Sequence, residues 1–237
     1  MSLLVFVFSY LLGAVPFGLV LTRTAGLGDI RKIGSGNIGA TNVLRTGRKD
    51  LALATLILDS GKGAIAVLLV GIATIARQDR EVLMAIAAGA AFLGHCFPVY
   101  LGFKGGKGVA TFLGTTLALG FTVGLIACGI WLATAALSRI SSLSALVAAA
   151  ITPFLFLVNG QWAFFGAALF MSALIFFRHR ANIERIMAGT EPRIGQGKKA
   201  DSGSTDGAWT ASISATATPP EDDAEAQDDG MNPPKRD

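Results

Sequence analysis

The sequence is short of charged residues and of the residues that bind metals or form disulfides. Only 15% of its 237 residues are charged, whereas 52% are apolar, and it holds two cysteines and two histidines. Cys96 and Cys128 both lie inside apolar runs, where cysteine packs as a small apolar side chain. We therefore expect no metal, no cofactor and no nucleic-acid partner, and a protein whose solvent is the lipid bilayer.

Charge is also missing from the first 22 residues, MSLLVFVFSYLLGAVPFGLVLT. At a rise of about 1.5 Å per residue, a helix of this length crosses a hydrocarbon core of about 30 Å. The segment has neither the positive start nor the cleavage site of a secretory signal, so we expect it to remain as a span. Further apolar runs cover residues 51–76, 83–102, 109–137, 143–158 and 161–177.

The number of spans depends on the run 109–137, which has Gly120 and Gly124 near its middle. If the chain reverses near Gly120, one side of the membrane keeps only Arg77 and Arg80. The other side then receives Arg23, Arg31, Lys32, Arg45, Arg48, Lys49, Lys104, Lys107, Arg139, Arg178, Arg180 and Arg185. The positive-inside rule thus predicts an all-α protein with seven transmembrane helices, its amino terminus outside and its carboxyl terminus in the cytoplasm.

A glycine-rich stretch, GSGNIGATN, follows the first span at residues 34–42. Its spacing G-x-G-x-x-G is that of dinucleotide-binding motifs, but those need a buried strand before them, and none is predicted here, so NAD binding is not expected. Glycines also let backbone N–H groups converge on an anion, and polar side chains add donors. We expect a phosphate-binding loop formed by Gly34, Ser35, Gly36, Asn37, Gly39, Thr41, Asn42 and Arg45.

A second glycine-rich segment, GFKGGKGVAT, precedes the fourth predicted span, a short helix at about Val109–Leu119. A short span begins below the membrane surface, so its positive amino end is expected to line a cavity that attracts anions. The spacing is not that of a Walker A motif. The alternative is a plain turn with lysines facing lipid headgroups. The candidate phosphate-binding residues are Lys104, Gly105, Gly106, Lys107 and Gly108.

Two further polar segments are predicted on the same side. In SRISS, Ser142 lies ahead of an apolar helix, where serine is most often a helix cap. On a helix that continues beyond the last apolar run, His179 and Asn182 share a face, with Arg178 and Arg185 beside it. A basic collar that contacts anionic lipid is the alternative interpretation of this second segment.

Few charged groups fall inside the predicted spans. Asp59 and Lys62 lie three positions apart and can pair on one helix face, which we interpret as a structural pair. His95 precedes Pro98 near the cytoplasmic end of its span. We expect a neutral ring bonded to the backbone, although the residue could equally orient the neighbouring glycine segment or touch substrate.

Three segments, GSGNIGATNVLR, GHCFPVYLGFKGGKGVAT and RHRANIERIMAGTE, resemble in order and spacing the signature regions of the bacterial acyl-phosphate-dependent glycerol-3-phosphate acyltransferases, the PlsY family. The resemblance covers about residues 1–195. It implies a seven-span enzyme of the bacterial cytoplasmic (inner) membrane with its site at the cytoplasmic surface. It implies that a fatty acyl group passes from acyl phosphate to the sn-1 hydroxyl of glycerol 3-phosphate, giving lysophosphatidic acid and phosphate. The catalytic residues that it implies are Ser35, Arg45, Lys104, Ser142, His179 and Asn182.

The resemblance also favours a phosphate oxygen of a substrate as the base, with His179 and Asn182 orienting the substrates; His179 as base is the alternative. The acids of the cytoplasmic loops, Glu184 and Glu191 among them, lie outside both glycine segments. A His-x-x-x-x-Asp dyad, as in acyltransferases that use thioesters, is disfavoured, because a step of five puts His179 and Glu184 on different helix faces.

Residues 196–237 are low in bulky apolar residues and rich in Ser, Thr, Ala, Asp and Pro, so we expect a disordered cytoplasmic tail after a membrane domain of residues 1–195. The family commonly lacks such a tail. Two other function classes are weighed: a membrane transporter of an organic phosphate, for which we find no internal repeat, and a passive adaptor that binds partners through the tail. The sequence does not predict an oligomeric state.

Overall fold

The computed structural model describes residues 1–195, and every regular element in that part of the chain is helical, as predicted. Two short 3-10 turns, Ile30–Lys32 and Val99–Leu101, lie in the connections. The predicted tail, residues 196–237, lies outside the described residues. The α-helices are α1 (Ser2–Gly13), α2 (Phe17–Thr24), α3 (Ala40–Leu44), α4 (Lys49–Ala73), α5 (Arg80–Cys96), α6 (Val109–Leu119), α7 (Phe121–Ser138), α8 (Ser141–Val158), α9 (Trp162–Arg178) and α10 (Arg180–Met187).

Within residues 1–195, five segments are long and apolar enough to cross a membrane, and a sixth qualifies if α9 and α10 are counted together. The helix α6 is apolar but has only 11 residues, as expected for a short fourth span. Large apolar side chains such as Leu3, Ile72 and Phe121 are exposed on the outside of the bundle, which suits contact with lipid. The five full-length segments are Ser2–Thr24, Lys49–Ala73, Arg80–Leu101, Phe121–Ser138 and Ser141–Val158.

The long apolar run 109–137 divides at Gly120, as predicted. The helix α6 ends one residue before this glycine and α7 begins one residue after it. A Cβ placed on Gly124 would lie 2.4 Å from the Cα of Leu117, whereas seven residues of continuous helix would separate the two by about 10 Å. The chain therefore reverses at Gly120, and α6 and α7 form a tightly packed hairpin.

The helices that carry the second glycine-rich segment are held by close backbone packing. The helix α5 contacts α1, α4, α6 and α9, and its enclosed positions include the small residues Ala87, Ala88 and Ala91. At the contact of α4 with α6, a Cβ on Gly114 would lie 2.1 Å from the carbonyl oxygen of Ser60. Small residues allow such approach between membrane helices. The end of α5 and the start of α6 are thus fixed by the bundle.

Two breaks between helices bear on the site. Pro16 separates α1 from α2, and the carbonyl of Val15 accepts a hydrogen bond of 2.8 Å from Lys62 Nζ. The second break is at His179, where α9 and α10 meet at a bend of 61°. The prediction of one continuing helix through His179 and Asn182 is therefore wrong, because α10 turns away from the axis of α9.

Candidate active site

The polar segments predicted to form a site lie at one end of the helix bundle. Thr41 Oγ1 lies 3.4 Å from Ser141 Oγ, although the two residues are 100 positions apart. Lys107 Nζ donates a hydrogen bond to Asn182 Oδ1. Arg178, at the end of α9, donates to the backbone of the second glycine-rich segment. Residues 34–45 are called the first glycine loop below, and residues 104–108 the glycine turn.

Asn42 holds the first glycine loop in shape. Its buried side chain accepts hydrogen bonds at Oδ1 from the N–H and the hydroxyl of Ser35, at 3.0 and 3.2 Å. Its Nδ2 shares its two hydrogens among the carbonyls of Ile30, Ile33 and Asn37, at 3.1, 2.9 and 2.8 Å. Since both ends of the amide are engaged inside the loop, Asn42 shapes the loop, and its contact with phosphate stays a prediction.

Arg45 lies against the turn of this loop at Gly34. Gly34 has a φ of +57°, and a Cβ there would lie 2.9 Å from Arg45 Cδ and 2.5 Å from Asn42 Oδ1. Only glycine allows the loop to close so tightly. Within residues 1–195, the exposed side chains of Arg45 and Lys104 make no hydrogen bond and no ion pair. Both cations are therefore available to an anion.

The backbone of the glycine turn is anchored from two sides. The N–H groups of Gly105 and Gly106 donate to the carbonyls of Cys96 and His95, at 3.2 and 3.1 Å. Arg178 donates through Nη2 and Nε to the carbonyls of the same two glycines, at 2.8 and 3.1 Å. These peptide groups are already paired and set the course of the turn, and the use of Gly105 and Gly106 as donors to phosphate stays a prediction.

Lys107 extends from the glycine turn toward α10, where it meets Asn182. Burial lowers the pKa of Lys107 to about 8; the charge of Glu191 opposes this shift, and the charges of Arg185 and Arg178 add to it. The ammonium therefore loses its proton at a pH only slightly above neutrality. The charge of Lys107 therefore depends on pH close to neutrality.

Glu191 is the centre of a group of hydrogen bonds beside Lys107. Its Oε1 accepts from Ser142 Oγ at 2.6 Å and from Asn182 Nδ2 at 2.5 Å, and its Oε2 accepts from Arg185 Nε at 2.7 Å. Burial opposes ionisation, but the hydrogen bonds from Ser142, Asn182 and Arg185 hold the pKa of Glu191 below its usual value. Ser142 is consequently no helix cap, since its hydroxyl is used by Glu191.

Sequence reasoning missed Glu191 because it lies outside both glycine segments. Its signal in the sequence is its position as the last residue of RHRANIERIMAGTE. The contact with Ser142 joins residues 49 positions apart, which local spacing does not predict. The pairing of Arg178 with the glycine turn spans 73 positions and was missed for the same reason.

His179 occupies the bend between α9 and α10. Its Nδ1 lies 2.8 Å from the carbonyl oxygen of Ile175, so this nitrogen carries the proton and donates it. Burial lowers the pKa of His179 to about 4, and the ring is neutral at pH 7. Glu184 is exposed and makes no hydrogen bond with His179, in keeping with the rejected dyad. Among the described residues, no group of three or more His, Cys, Asp or Glu side chains is placed to hold a metal ion.

An apolar groove opens between α8 and the bend of α9 and α10. Its volume is about 320 Å³. Leu143 and Ile183 line it, and they directly follow Ser142 and Asn182 in the sequence. The polar contacts of Glu191 and the apolar groove are therefore adjacent. The remaining lining residues are Leu146, Val147, Ala150, Phe176, Ile186 and Met187.

Comparison with known proteins identifies relatives along nearly the whole described chain. Residues 3–189 match the family described as glycerol-3-phosphate acyltransferase. The chain is 64% identical over 190 residues to a glycerol-3-phosphate acyltransferase of Cereibacter sphaeroides, covering 80% of this chain and 92% of the relative. It is 62% identical over 195 residues to that of Paramagnetospirillum magneticum, covering 81% and 94%.

Two solved structures share the fold, both of PlsY (YgiH), an integral membrane glycerol 3-phosphate acyltransferase. The glycerol 3-phosphate form matches with a TM-score of 0.76 at 38% identity, covering 82% of this chain and 96% of that one. The lysophosphatidic acid form matches with a TM-score of 0.74 at 37% identity, covering 82% and 95%. With its apolar helices, the chain is a multi-pass membrane protein and an acyltransferase enzyme, and it belongs to the PlsY family of glycerol-3-phosphate acyltransferases.

Proposed function

We propose that this enzyme transfers a fatty acyl group from acyl phosphate to the sn-1 hydroxyl of glycerol 3-phosphate, giving lysophosphatidic acid and inorganic phosphate. The proposal rests on one observation: a set of cations and an apolar groove lie together at one end of the bundle. Arg45 and Lys104, which have no partner in the part of the chain that the structure describes, suit phosphate, and the apolar groove beside Ser142 suits a fatty chain. Both substrates carry a phosphate and one carries a fatty chain. PlsY, a relative of known structure, has glycerol 3-phosphate and lysophosphatidic acid forms, which supports this choice.

The phosphate groups bind to the cations of the first glycine loop and the glycine turn. Arg45 presents a planar fork that matches two phosphate oxygens, and Lys104 and Lys107 add point charges. The hydroxyl of Ser35 is exposed and supplies a further donor when it turns from Asn42 Oδ1 to phosphate. The rest of the predicted binding set contributes backbone N–H groups and the Thr41 hydroxyl, from Gly34, Asn37, Gly39, Thr41 and Gly108. The N–H of Gly36 already donates to the carbonyl of Ile33 at 3.0 Å, so Gly36 shapes the loop.

The fatty chain of the acyl donor lies in the apolar groove between α8 and α10. The groove begins next to Ser142 and Asn182, so a chain bound in it brings its carbonyl carbon to the polar end of the site. Apolar contact in the groove holds the donor while the glycerol hydroxyl approaches. Fixing both reactants in this way supplies much of the acceleration available to an enzyme whose donor is already activated.

The chemical step needs no covalent acyl-enzyme, because acyl phosphate is a mixed anhydride with a good leaving group. The sn-1 oxygen attacks the carbonyl carbon, a new C–O bond forms, and the bond from carbon to the phosphate oxygen breaks. The hydroxyl proton passes to a phosphate oxygen of a substrate. Positive charge from Lys104 and Lys107 stabilises the negative charge that develops on the carbonyl oxygen and the phosphate.

His179 orients substrate in this mechanism. A ring with a pKa of about 4 is a weak base at neutral pH, and its Nδ1–H is committed to Ile175. Its Nε2 remains an acceptor for a substrate hydroxyl. Asn182 links Lys107 to Glu191 and so fixes the position of the ammonium group. These roles leave proton transfer to the substrates themselves.

We infer further that seven helices cross the bacterial cytoplasmic (inner) membrane, with α6 as the short fourth span and the site facing the cytoplasm. The site end of the bundle carries most of the basic residues, and the opposite end carries Arg77 and Arg80. Of these two, Arg77 pairs with Asp79, and Arg80 donates to the carbonyl of Gly71. The difference in charge supports a cytoplasmic site by the positive-inside rule.

The test is an assay of the purified protein in proteoliposomes, with acyl phosphate or an acyl thioester as the donor. We expect phosphate release from acyl phosphate that requires glycerol 3-phosphate, one lysophosphatidic acid for each phosphate, and no turnover of the thioester. Uptake of glycerol 3-phosphate into the vesicles without turnover would instead identify a transporter. Deletion of residues 196–237 is expected to leave the turnover unchanged; a loss would favour a role for the tail.

A further inference from the structure

Three ionisable side chains, Asp59, Lys62 and His95, are buried inside the bundle, away from the proposed substrates. Their exposed fractions are 2%, 1% and 3%. Lys62 Nζ donates to Asp59 Oδ1 at 2.8 Å and to the carbonyl of Val15 at 2.8 Å, and His95 Nδ1 faces Asp59 Oδ1 at 3.7 Å. Buried ion pairs contribute little net stability compared with apolar side chains of similar size. Stability alone is therefore a weak reason for this cluster.

The cluster contacts the glycine turn through His95. A Cβ placed on Gly106 would lie 2.2 Å from His95 Nε2, so the ring packs directly against the backbone of the turn. The carbonyl of His95 accepts the N–H of Gly106 at 3.1 Å. Arg178 closes the turn from the other side through the two glycine carbonyls. The turn is thus clamped between a ring held near Asp59 and a guanidinium on α9.

The cluster also contacts the start of α6. Thr111 Oγ1 donates to the carbonyl of Asp59 at 2.9 Å, and Thr111 is fully buried. Along the chain, Gly106 lies one residue before Lys107, and Thr111 lies four residues after Lys107. Asp59 is therefore connected to the chain on both sides of Lys107, through His95 before it and through Thr111 after it.

We propose that Asp59, Lys62 and His95 form a positioning cluster that sets the place of Lys107 in the active site. None of the three touches the substrates, so they are positioning residues and not catalytic ones. The inference rests on the proposed function, because it takes Lys107 to bind phosphate. It gives a reason for charges at membrane depth, where an unpaired charge is costly. The carbonyl of Asp59 accepts from Thr111, and the Asp59 carboxylate lies 3.7 Å from the His95 ring that packs on Gly106.

The test is a double-mutant cycle between the cluster and Lys107. We expect His95→Leu, which leaves the Asp59–Lys62 pair intact, to lower kcat/KM for glycerol 3-phosphate by about tenfold or more, on the order of 1.4 kcal/mol. In a Lys107→Met background, the same change is expected to lower it by less than about twofold, because the group being positioned is already gone. A merely structural effect would reduce activity equally in both backgrounds.

Ser172→Ala is the matched control. Its hydroxyl is buried and donates to the carbonyl of Ala149 at 2.6 Å between α9 and α8, away from the glycine turn. Any effect of this change is expected to be the same with and without Lys107→Met. If His95→Leu fails to fold, Thr111→Val is the second variant, since it removes one hydroxyl with little change in shape. A loss of about threefold or more that disappears in the Lys107→Met background supports the proposal.

The proposal is overturned if a folded His95→Leu or Thr111→Val protein keeps wild-type kcat/KM, or loses the same factor in both backgrounds. A failure of the proposed function is distinguishable from this outcome. In that case Lys107→Met by itself leaves kcat/KM near the wild-type value, and the assignment of Lys107 to phosphate falls before the cluster is tested.

Discussion

Lys107→Arg is expected to remove a pH limit that the buried lysine imposes on catalysis. Burial lowers the pKa of Lys107 to about 8, so its positive charge is present below that pH and lost above it. About nine tenths of the enzyme carries the charge at about pH 7, and about one tenth at about pH 9. If the charged form binds phosphate, as proposed above, kcat/KM for glycerol 3-phosphate is expected to fall roughly tenfold over this range. Arginine stays charged over this range, so the kcat/KM of the Lys107→Arg variant is expected not to fall as the pH rises.

The measurement is the initial rate of phosphate release from acyl phosphate at several glycerol 3-phosphate concentrations and pH values. The second pKa of a phosphate monoester is about 6, so the substrate charge is constant over the upper part of the range. Lys49→Arg is the matched control, because Lys49 is an exposed residue at the start of α4 outside the site, and its profile should follow the wild type. A level wild-type profile, or an equally steep fall in Lys107→Arg, would refute the reasoning.

Three further substitutions test the site. Gly106→Ala places a Cβ 2.2 Å from His95 Nε2 and should lower kcat/KM by about tenfold or more. Its control is Gly129→Ala, which has open space around it in α7 and should leave kinetics unchanged. Equal effects of the two substitutions would contradict the clamped turn. Glu191→Gln weakens the acceptor for three hydrogen bonds and should cost about 1–3 kcal/mol of stability, seen as a lower Tm in detergent; an unchanged Tm would contradict this. Arg45→Ala should raise KM for a phosphate substrate sharply, and near wild-type kinetics would remove Arg45 from the site.

The division of the apolar chain was predictable, because it depends on features that act locally. Gly120 lies in the middle of a run too long for one span, and the distribution of basic loops favoured a reversal there. The structure has the reversal at that residue. The Asp59–Lys62 pair was predictable for a similar reason, since a spacing of three places both side chains on one helix face.

The chemistry of the site was less predictable, because it depends on contacts between distant segments. The glycines at 105 and 106 indicated backbone donors for phosphate, but the end of α5 and Arg178 already use those peptide groups. His95 was expected to bond to the backbone, yet its Nδ1 has no hydrogen-bond partner among the described residues and faces Asp59. Spacing predicts which residues share an element, and it does not predict which element supplies the partner.

The charges near the proposed site divide into two classes that have different consequences for catalysis. Arg178 and Glu191 are fully used by the protein, which fixes the glycine turn and the start of α8 before substrate arrives. Arg45 and Lys104 have no partner within residues 1–195, so their attraction remains for phosphate. Donors that are already oriented need little reorganisation during the reaction. Removing Arg45 should therefore act mainly on substrate binding. Removing Lys104 should raise KM and also lower kcat, because in the proposed mechanism its charge stabilises the negative charge that develops during the reaction. Removing Arg178 should lower kcat and stability together, because the frame that orients the substrates is lost.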